Sequence, residues 1–143
     1  MNLAVIENEI SDFEGFINTP EAETRGYRPT DVVFRGLLPA EKLVDISEKR
    51  FALIVEGMLD LVKLVQVQLN GYRQPQAVLR FKFSQEKGWL KDQNIWKNFW
   101  SVRLNLGKDG FVFEAVLLEQ IELEAKRFCE GLTAFLKDYV PLK

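Results

Sequence analysis

The clearest periodic pattern in the chain lies near its C-terminal end. From Leu117 onward one apolar residue recurs every three or four positions, and together these residues form a stripe of Leu117, Ile121, Ala125, Phe128, Leu132, Phe135 and Tyr139. The charged residues of this segment fall mostly off the stripe, which is typical of an amphipathic helix with one face on a core. Pro141 follows and cannot continue a helix. We therefore predict a long C-terminal helix.

Strict alternation of apolar and polar residues elsewhere predicts strands. Residues 65–69 and 77–83 alternate on either side of an Asn70-Gly71 turn signal. Residues 102–106 and 111–113 alternate around Gly107-Lys108-Asp109-Gly110. The first pair predicts a hairpin with a long loop and the second a hairpin closed by its glycine-containing turn, so each pair predicts two antiparallel strands.

The remaining segments mix helical and extended signals. We expect a short N-terminal helix, a polar loop over residues 18–30, a brief strand over 32–36 and a helix that opens near Pro39. Apolar residues spaced by three or four continue from 44 to 65, whereas β-branched residues and Gly57 favour strand toward the far end, so the extent of this helix stays open. A short helix with Asp92 as its N-cap is predicted between Trp89 and Trp100.

The order of these elements does not alternate strand with helix, so it does not predict a parallel sheet. We predict one α+β domain over residues 1–143, with an antiparallel sheet of about four or five strands packed against the long C-terminal helix and accompanied by shorter helices. A length of 143 residues is typical of a single domain.

Charge is distributed unevenly, although the net charge is only −2. Residues 1–31 carry seven acids and two bases, whereas residues 80–103 carry six bases and two acids. We treat residues 1–30, the short helix plus its loop, as an acidic N-terminal segment of the same domain. Such asymmetry bears on partners more than on fold.

Several kinds of catalytic chemistry are excluded by composition. The chain has no histidine and a single cysteine, Cys129. It therefore lacks the residues for a Ser-His-Asp or Cys-His arrangement and for a zinc site built on imidazole or several thiolates. Carboxylates that lie close in sequence, such as Glu122 and Glu124, point apart on a helix. We predict a non-enzymatic protein without catalytic residues, metal ligands or cofactor, and a hydrolase that uses carboxylates alone is the remaining enzymatic alternative.

Basic and aromatic residues are interleaved in residues 80–103, which makes this segment the candidate binding site. Its members are Trp89, Trp96, Trp100, Arg80, Lys82, Lys87, Lys91, Lys97 and Arg103. Tryptophan and arginine dominate protein interface hot spots, so the first hypothesis is contact with a protein partner, as in an adaptor, a chaperone or an immunity-type protein, or with a second copy of the chain. The alternative is single-stranded nucleic acid, whose bases stack on aromatic rings while its phosphates pair with cations. Burial in a core would explain the same aromatics without any partner.

The expected location is the cytoplasm. The first residues include Glu7 and Glu9 but no basic segment ahead of an apolar run, so they do not resemble a secretory signal. The most apolar stretch, residues 51–69, is interrupted by charged and amide side chains, so no membrane partner is expected. One cysteine cannot form an internal disulfide, which favours a reducing compartment.

Overall fold

The computed structural model describes residues 2–18, 40–71 and 75–139. These ranges contain five helices and no strand: α1 (Leu3–Asn18), α2 (Ala40–Asn70), α3 (Ala77–Glu86), α4 (Gln93–Asn105) and α5 (Val116–Asp138). The predicted α+β fold with an antiparallel sheet is therefore wrong, because the described part of the chain is all-helical. The predicted loop over 18–30 and strand over 32–36 fall almost entirely in residues 19–39, which lie outside the described residues.

The longest helix, α2, contacts each of the other four described helices. Its 31 residues span about 46 Å, so it is long enough to serve as a central element. Helices α1 and α5 pack on α2 and on each other, while α3 and α4 pack on α2 and on each other. The core thus lies along α2.

Each long helix buries one face at helical spacing. In α1 the buried residues Ile6, Ile10, Phe13 and Ile17 are separated by four, three and four positions. In α5 the buried set is Leu118, Ile121, Ala125, Phe128, Cys129, Leu132 and Leu136. The predicted N-terminal and C-terminal helices are therefore present, and Ile121, Ala125, Phe128 and Leu132 of the predicted C-terminal stripe are buried in the core.

The first predicted hairpin is wrong because both of its strands are helical. Residues 65–69 complete α2, which ends where Gly71 takes a positive φ of 76°. Residues 77–83 lie in α3, where Phe81 is fully buried but Leu79 is 38 % exposed. A strand would place these two side chains on one face, whereas a helix separates them. Burial of one helical face therefore outweighs the β propensity of these segments.

The second predicted hairpin is also wrong, although its turn signal is right. Residues 102–105 belong to α4, and Leu104 is 51 % exposed. Gly107 and Gly110 have φ of 82° and 80°, so the glycines do form a tight connection, but it joins α4 to the segment before α5. Phe113 in that segment packs edge-to-face on Phe51 of α2, with ring centroids 5.3 Å apart. Packing on α2 thus replaces strand pairing.

Candidate docking groove

Two of the three predicted tryptophan anchors lie in the core. Trp89 and Trp96 are each 1 % exposed, and Trp100 is half-buried. The Trp96 ring meets Phe99 at a centroid distance of 5.3 Å, and the Trp89 ring meets Phe135 of α5 at 5.4 Å. The Trp89–Phe135 contact joins the loop before α4 to α5, and Trp96 of α4 also contacts Phe128 of α5 at a centroid distance of 6.4 Å. In this conformation Trp89 and Trp96 offer no ring face to a partner.

The six predicted basic residues do not act as one group. Lys82, Lys87 and Lys91 are exposed, whereas Arg80 and Lys97 are half-buried. The sixth, Arg103, donates from Nε and Nη2 to Oε1 of Glu56 on α2, at 3.0 and 2.7 Å. That ion pair links α4 to α2.

Binding of single-stranded nucleic acid by this segment stays a prediction. Phe81, Trp89, Trp96 and Phe99 are buried, so Phe83 and Trp100 are the half-buried rings left near the surface. The ammonium of Lys87 already lies over the Phe83 ring, 5.5 Å from its centroid. A stacking platform for bases would therefore have to be built mainly on Trp100.

A groove of about 900 Å³ lies between α1 and α2, away from the predicted segment. Its lining residues come from these two helices alone: Val5, Glu9, Asp12, Phe13, Phe16, Leu53, Gly57, Asp60, Leu61, Lys63, Leu64 and Val67. Most of them are apolar. This concave, largely apolar surface of the described residues thus lies outside residues 80–103.

The two walls of the groove are continuous helix faces that run antiparallel. On α1 the wall is Val5, Glu9, Asp12 and Phe16, and on α2 it is Leu53, Gly57, Asp60, Leu64 and Val67. Both sets repeat every three or four residues, which places each set on one side of its helix. The backbone N–H of Asn2 donates to Oε1 of Gln68 at 2.9 Å, so the start of α1 lies beside the end of α2.

At the opposite end of the α1–α2 pair, a buried arginine of α2 contacts α1. Arg50 of α2 is 1 % exposed and donates from Nη2 to the carbonyl oxygen of Ile17 at 2.9 Å. Its Nε donates to Oε1 of Glu122 on α5 at 3.2 Å, and its guanidinium carbon lies 5.1 Å from the centroid of the Phe16 ring. One side chain therefore connects three helices and supports Phe16, a wall residue of the groove.

The floor of the groove is buried and its walls are open. Phe13 and Leu61 are buried, whereas Val5, Leu53 and Val67 are each more than a third exposed. Large apolar side chains that remain exposed on both walls of one concavity form a contiguous apolar patch, which on a folded protein often marks an interaction surface.

The rim of the groove is acidic. Glu9, Asp12 and Asp60 are exposed, and Lys63 is half-buried. None of the three carboxylates forms an ion pair with another residue of the described ranges. The rim therefore presents three carboxylates and one ammonium to solvent.

The α1–α2 groove was not predicted from the sequence, although α1 carries one signal for it. The first helix carries two apolar sets: Ile6, Ile10, Phe13 and Ile17 face the core, while Val5 and Phe16 line the groove. A second apolar set beyond the core stripe was the available sign of a second contact surface.

The single thiol lies deep in the core. Cys129 is buried, and this burial raises its pKa from an ordinary 9.0 to about 12, with the charges of Glu14 and Glu130 adding to the rise. Thiolate is the reactive form of cysteine, so this side chain is inert near neutral pH. Across residues 2–18, 40–71 and 75–139 no group of three or more Cys, Asp or Glu side chains is placed to hold a metal ion.

No helix in the described ranges combines the length and hydropathy needed to cross a membrane. Comparison with protein-family models, with curated proteins and with solved structures found no match to the chain.

Proposed function

We propose that this chain is a non-enzymatic binding module that contacts a protein partner, or a second copy of itself, through the groove between α1 and α2. The observation that carries the proposal is the open apolar groove of about 900 Å³, with Val5, Leu53 and Val67 exposed along its walls. Leaving such side chains in water forgoes burial energy of about 25 cal/mol per Å². A partner that covers the groove recovers it.

A helix is the element that best fits this groove. Its walls are two antiparallel helix faces, and the wall on α1 runs from Val5 to Phe16, a rise of about 16 Å or three helical turns. An added helix can lie between two such ridges in the manner of a bundle, with apolar residues at i, i+3, i+4 and i+7 in contact with both walls.

A small-molecule site is a poorer match to the same geometry. Pockets for small ligands enclose about 70–90 % of the ligand surface, as a cleft or cavity does. Here the exposed wall residues leave the groove open along its length, and no polar side chain is buried on its floor among the residues that line it. A groove that is open to solvent along its whole length favours a macromolecular partner over a small ligand.

Site-specific photo-crosslinking in the native cell tests the proposal. A photoreactive phenylalanine analogue replaces Leu53 on the groove wall, or Arg127 on α5, which is exposed and does not line the groove. We expect a discrete crosslinked product from position 53 that is absent from position 127. A product of twice the chain mass identifies a second copy, and any other discrete mass a different protein. No product at 53, or the same products at both positions, contradicts the proposal.

A further inference from the structure

We infer that the partner of the α1–α2 groove is a basic amphipathic helix of about three turns, in which Lys or Arg residues flank an apolar stripe. This inference rests on the proposed function, because it specifies the partner of the same groove. It depends on the chemistry of the rim, whereas the proposed function depends on the shape and apolarity of the walls.

The position of the rim carboxylates supports this inference. Glu9 and Asp12 are three residues apart on α1, so both lie on the groove side of that helix, and Asp60 lies on the facing wall. A helix seated between the walls would therefore have carboxylates on both of its flanks. Cations at the flanking positions of its apolar stripe would meet those carboxylates.

The charges also distinguish such a partner from other occupants. A symmetric dimer through this groove would bring together two copies of a rim with three carboxylates and one ammonium, and like charges that face each other at an interface are unfavourable. Nucleic acid and anionic membranes carry the same sign as the rim and are disfavoured for the same reason. A cationic helix is the occupant whose charge is complementary.

The test uses two labelled peptides of about 14 residues, or four turns, that differ only in flank charge. Both carry the same leucine stripe, with Lys at every flanking position in one and Glu in the other. Fluorescence anisotropy during titration with the full chain gives both dissociation constants. We expect the Lys peptide to bind at least about tenfold more tightly, and its affinity to fall as salt is added, because the rim is exposed to solvent.

Two triple variants separate a local effect from that of net charge. The rim variant combines Glu9→Gln, Asp12→Asn and Asp60→Asn, and its control combines Glu7→Gln, Glu119→Gln and Glu130→Gln, which are exposed acids that do not line the groove. We expect the rim variant to lose the preference for the Lys peptide, and the control to keep it. Far-UV circular dichroism and urea unfolding establish that both variants are folded.

Each other outcome overturns the inference. Equal loss of preference in both variants would assign the effect to net charge alone. Equal or stronger binding of the Glu peptide would refute the basic partner while leaving the groove as a docking site. Tighter binding of a peptide with the sequence of residues 30–39, or a concentration-dependent dimer that Val67→Glu dissolves, would assign the groove to the chain itself. Binding of neither peptide refutes the basic helix, and the crosslink at position 53 then decides separately whether the proposed function stands.

Discussion

Gly57 of α2 lies against the aromatic ring of Phe13 of α1. A Cβ atom at position 57 would stand 2.6 Å from Cε1 and 2.9 Å from Cδ1 of that ring, well inside van der Waals contact. The two helices therefore approach as closely as they do because position 57 has no side chain. Since both residues line the groove, this contact also shapes its floor.

We expect Gly57→Ala to lower the free energy of unfolding by about 1 kcal/mol. Alanine gains up to about 1 kcal/mol over glycine in a helix, but overpacking against Phe13 costs about 1–3 kcal/mol. Urea unfolding measures the difference.

Gly15→Ala in α1 is the matched control for this change. A Cβ at position 15 meets no atom within 4 Å, so alanine there should stabilise the protein by about 0.5–1 kcal/mol. The double variant Phe13→Leu with Gly57→Ala should lose less stability than the two single changes together, because the smaller side chain leaves room for the added methyl. Stabilisation by Gly57→Ala equal to that of Gly15→Ala would refute the steric argument.

Gly131→Ala should lower the free energy of unfolding more than Gly57→Ala does. A Cβ at 131 in α5 would lie 2.8 Å from the carbonyl oxygen and 3.1 Å from Cα of Trp89, and backbone atoms cannot rotate away as a side chain can. We expect a loss of about 2–3 kcal/mol in urea unfolding. The near-UV circular dichroism of the tryptophans should also change, since Trp89 would have to move; an unaltered spectrum with unchanged stability would contradict this prediction.

Removal of the buried guanidinium tests the three-helix contact. Arg50→Met leaves the Ile17 carbonyl without that donor, and a buried polar group that loses its partner costs about 1–3 kcal/mol. Arg127→Met is the control: Arg127 pairs with Glu124 at 2.7 Å on the surface of α5, where such a pair contributes about 0–1 kcal/mol. Equal urea midpoints for the two variants would show that Arg50 contributes no more than a surface ion pair.

Stability should fall as the pH rises above about 9, in part because of Cys129. The thiol of the unfolded chain loses its proton near its ordinary pKa of 9.0, whereas burial keeps the pKa of the folded thiol at about 12. Unfolding therefore releases a proton in this window, and the contribution of Cys129 decreases by at most about 1.4 kcal/mol per pH unit. Below pH 9 both states hold the proton, and this contribution is constant.

Urea unfolding of the wild type and of Cys129→Ala at several pH values isolates this contribution. All other titratable groups are common to both proteins, so their contributions cancel in the difference. The wild type should lose stability more steeply than the variant. Parallel curves would mean that the thiol titrates alike in the folded and unfolded states.

The parts of the fold that could be predicted are those where an apolar stripe is long and uninterrupted. The stripe from Leu117 to Tyr139 predicted α5, and Asp92 was correctly predicted as an N-cap: its side chain accepts a hydrogen bond from the backbone N–H of Asn94 at 2.8 Å. In both cases the local sequence and the tertiary structure favour the same conformation.

The wrong strand predictions have a common physical cause. Over five to seven residues alternation is compatible with a helix that buries only one or two of the apolar side chains, as α3 buries Phe81 and leaves Leu79 outside. The helical conformation of these segments is stabilised by α2, on which α3 and α4 pack. A local pattern of apolar residues does not predict contacts with a helix that is distant in sequence.

The candidate site was missed for a related reason. The groove forms where two helices pack side by side. The local sequence around Val5 or around Val67 does not indicate that these two residues lie on neighbouring helix faces. The tryptophans were predicted to contact a partner because large aromatic side chains are common at interfaces. The same large apolar area favours burial, and Trp89 and Trp96 lie in the core.

The buried arginine has a consequence for how α1 is aligned along its neighbours. The core residues of α1 repeat every three or four positions, so a slide of one helical turn would again set apolar residues against apolar residues. Such a slide moves the Ile17 carbonyl by about 5.4 Å, out of reach of the guanidinium that holds it at 2.9 Å. The apolar stripe alone is therefore compatible with more than one register, and the Arg50–Ile17 hydrogen bond, together with the close contact between Phe13 and Gly57, fixes the register that is observed.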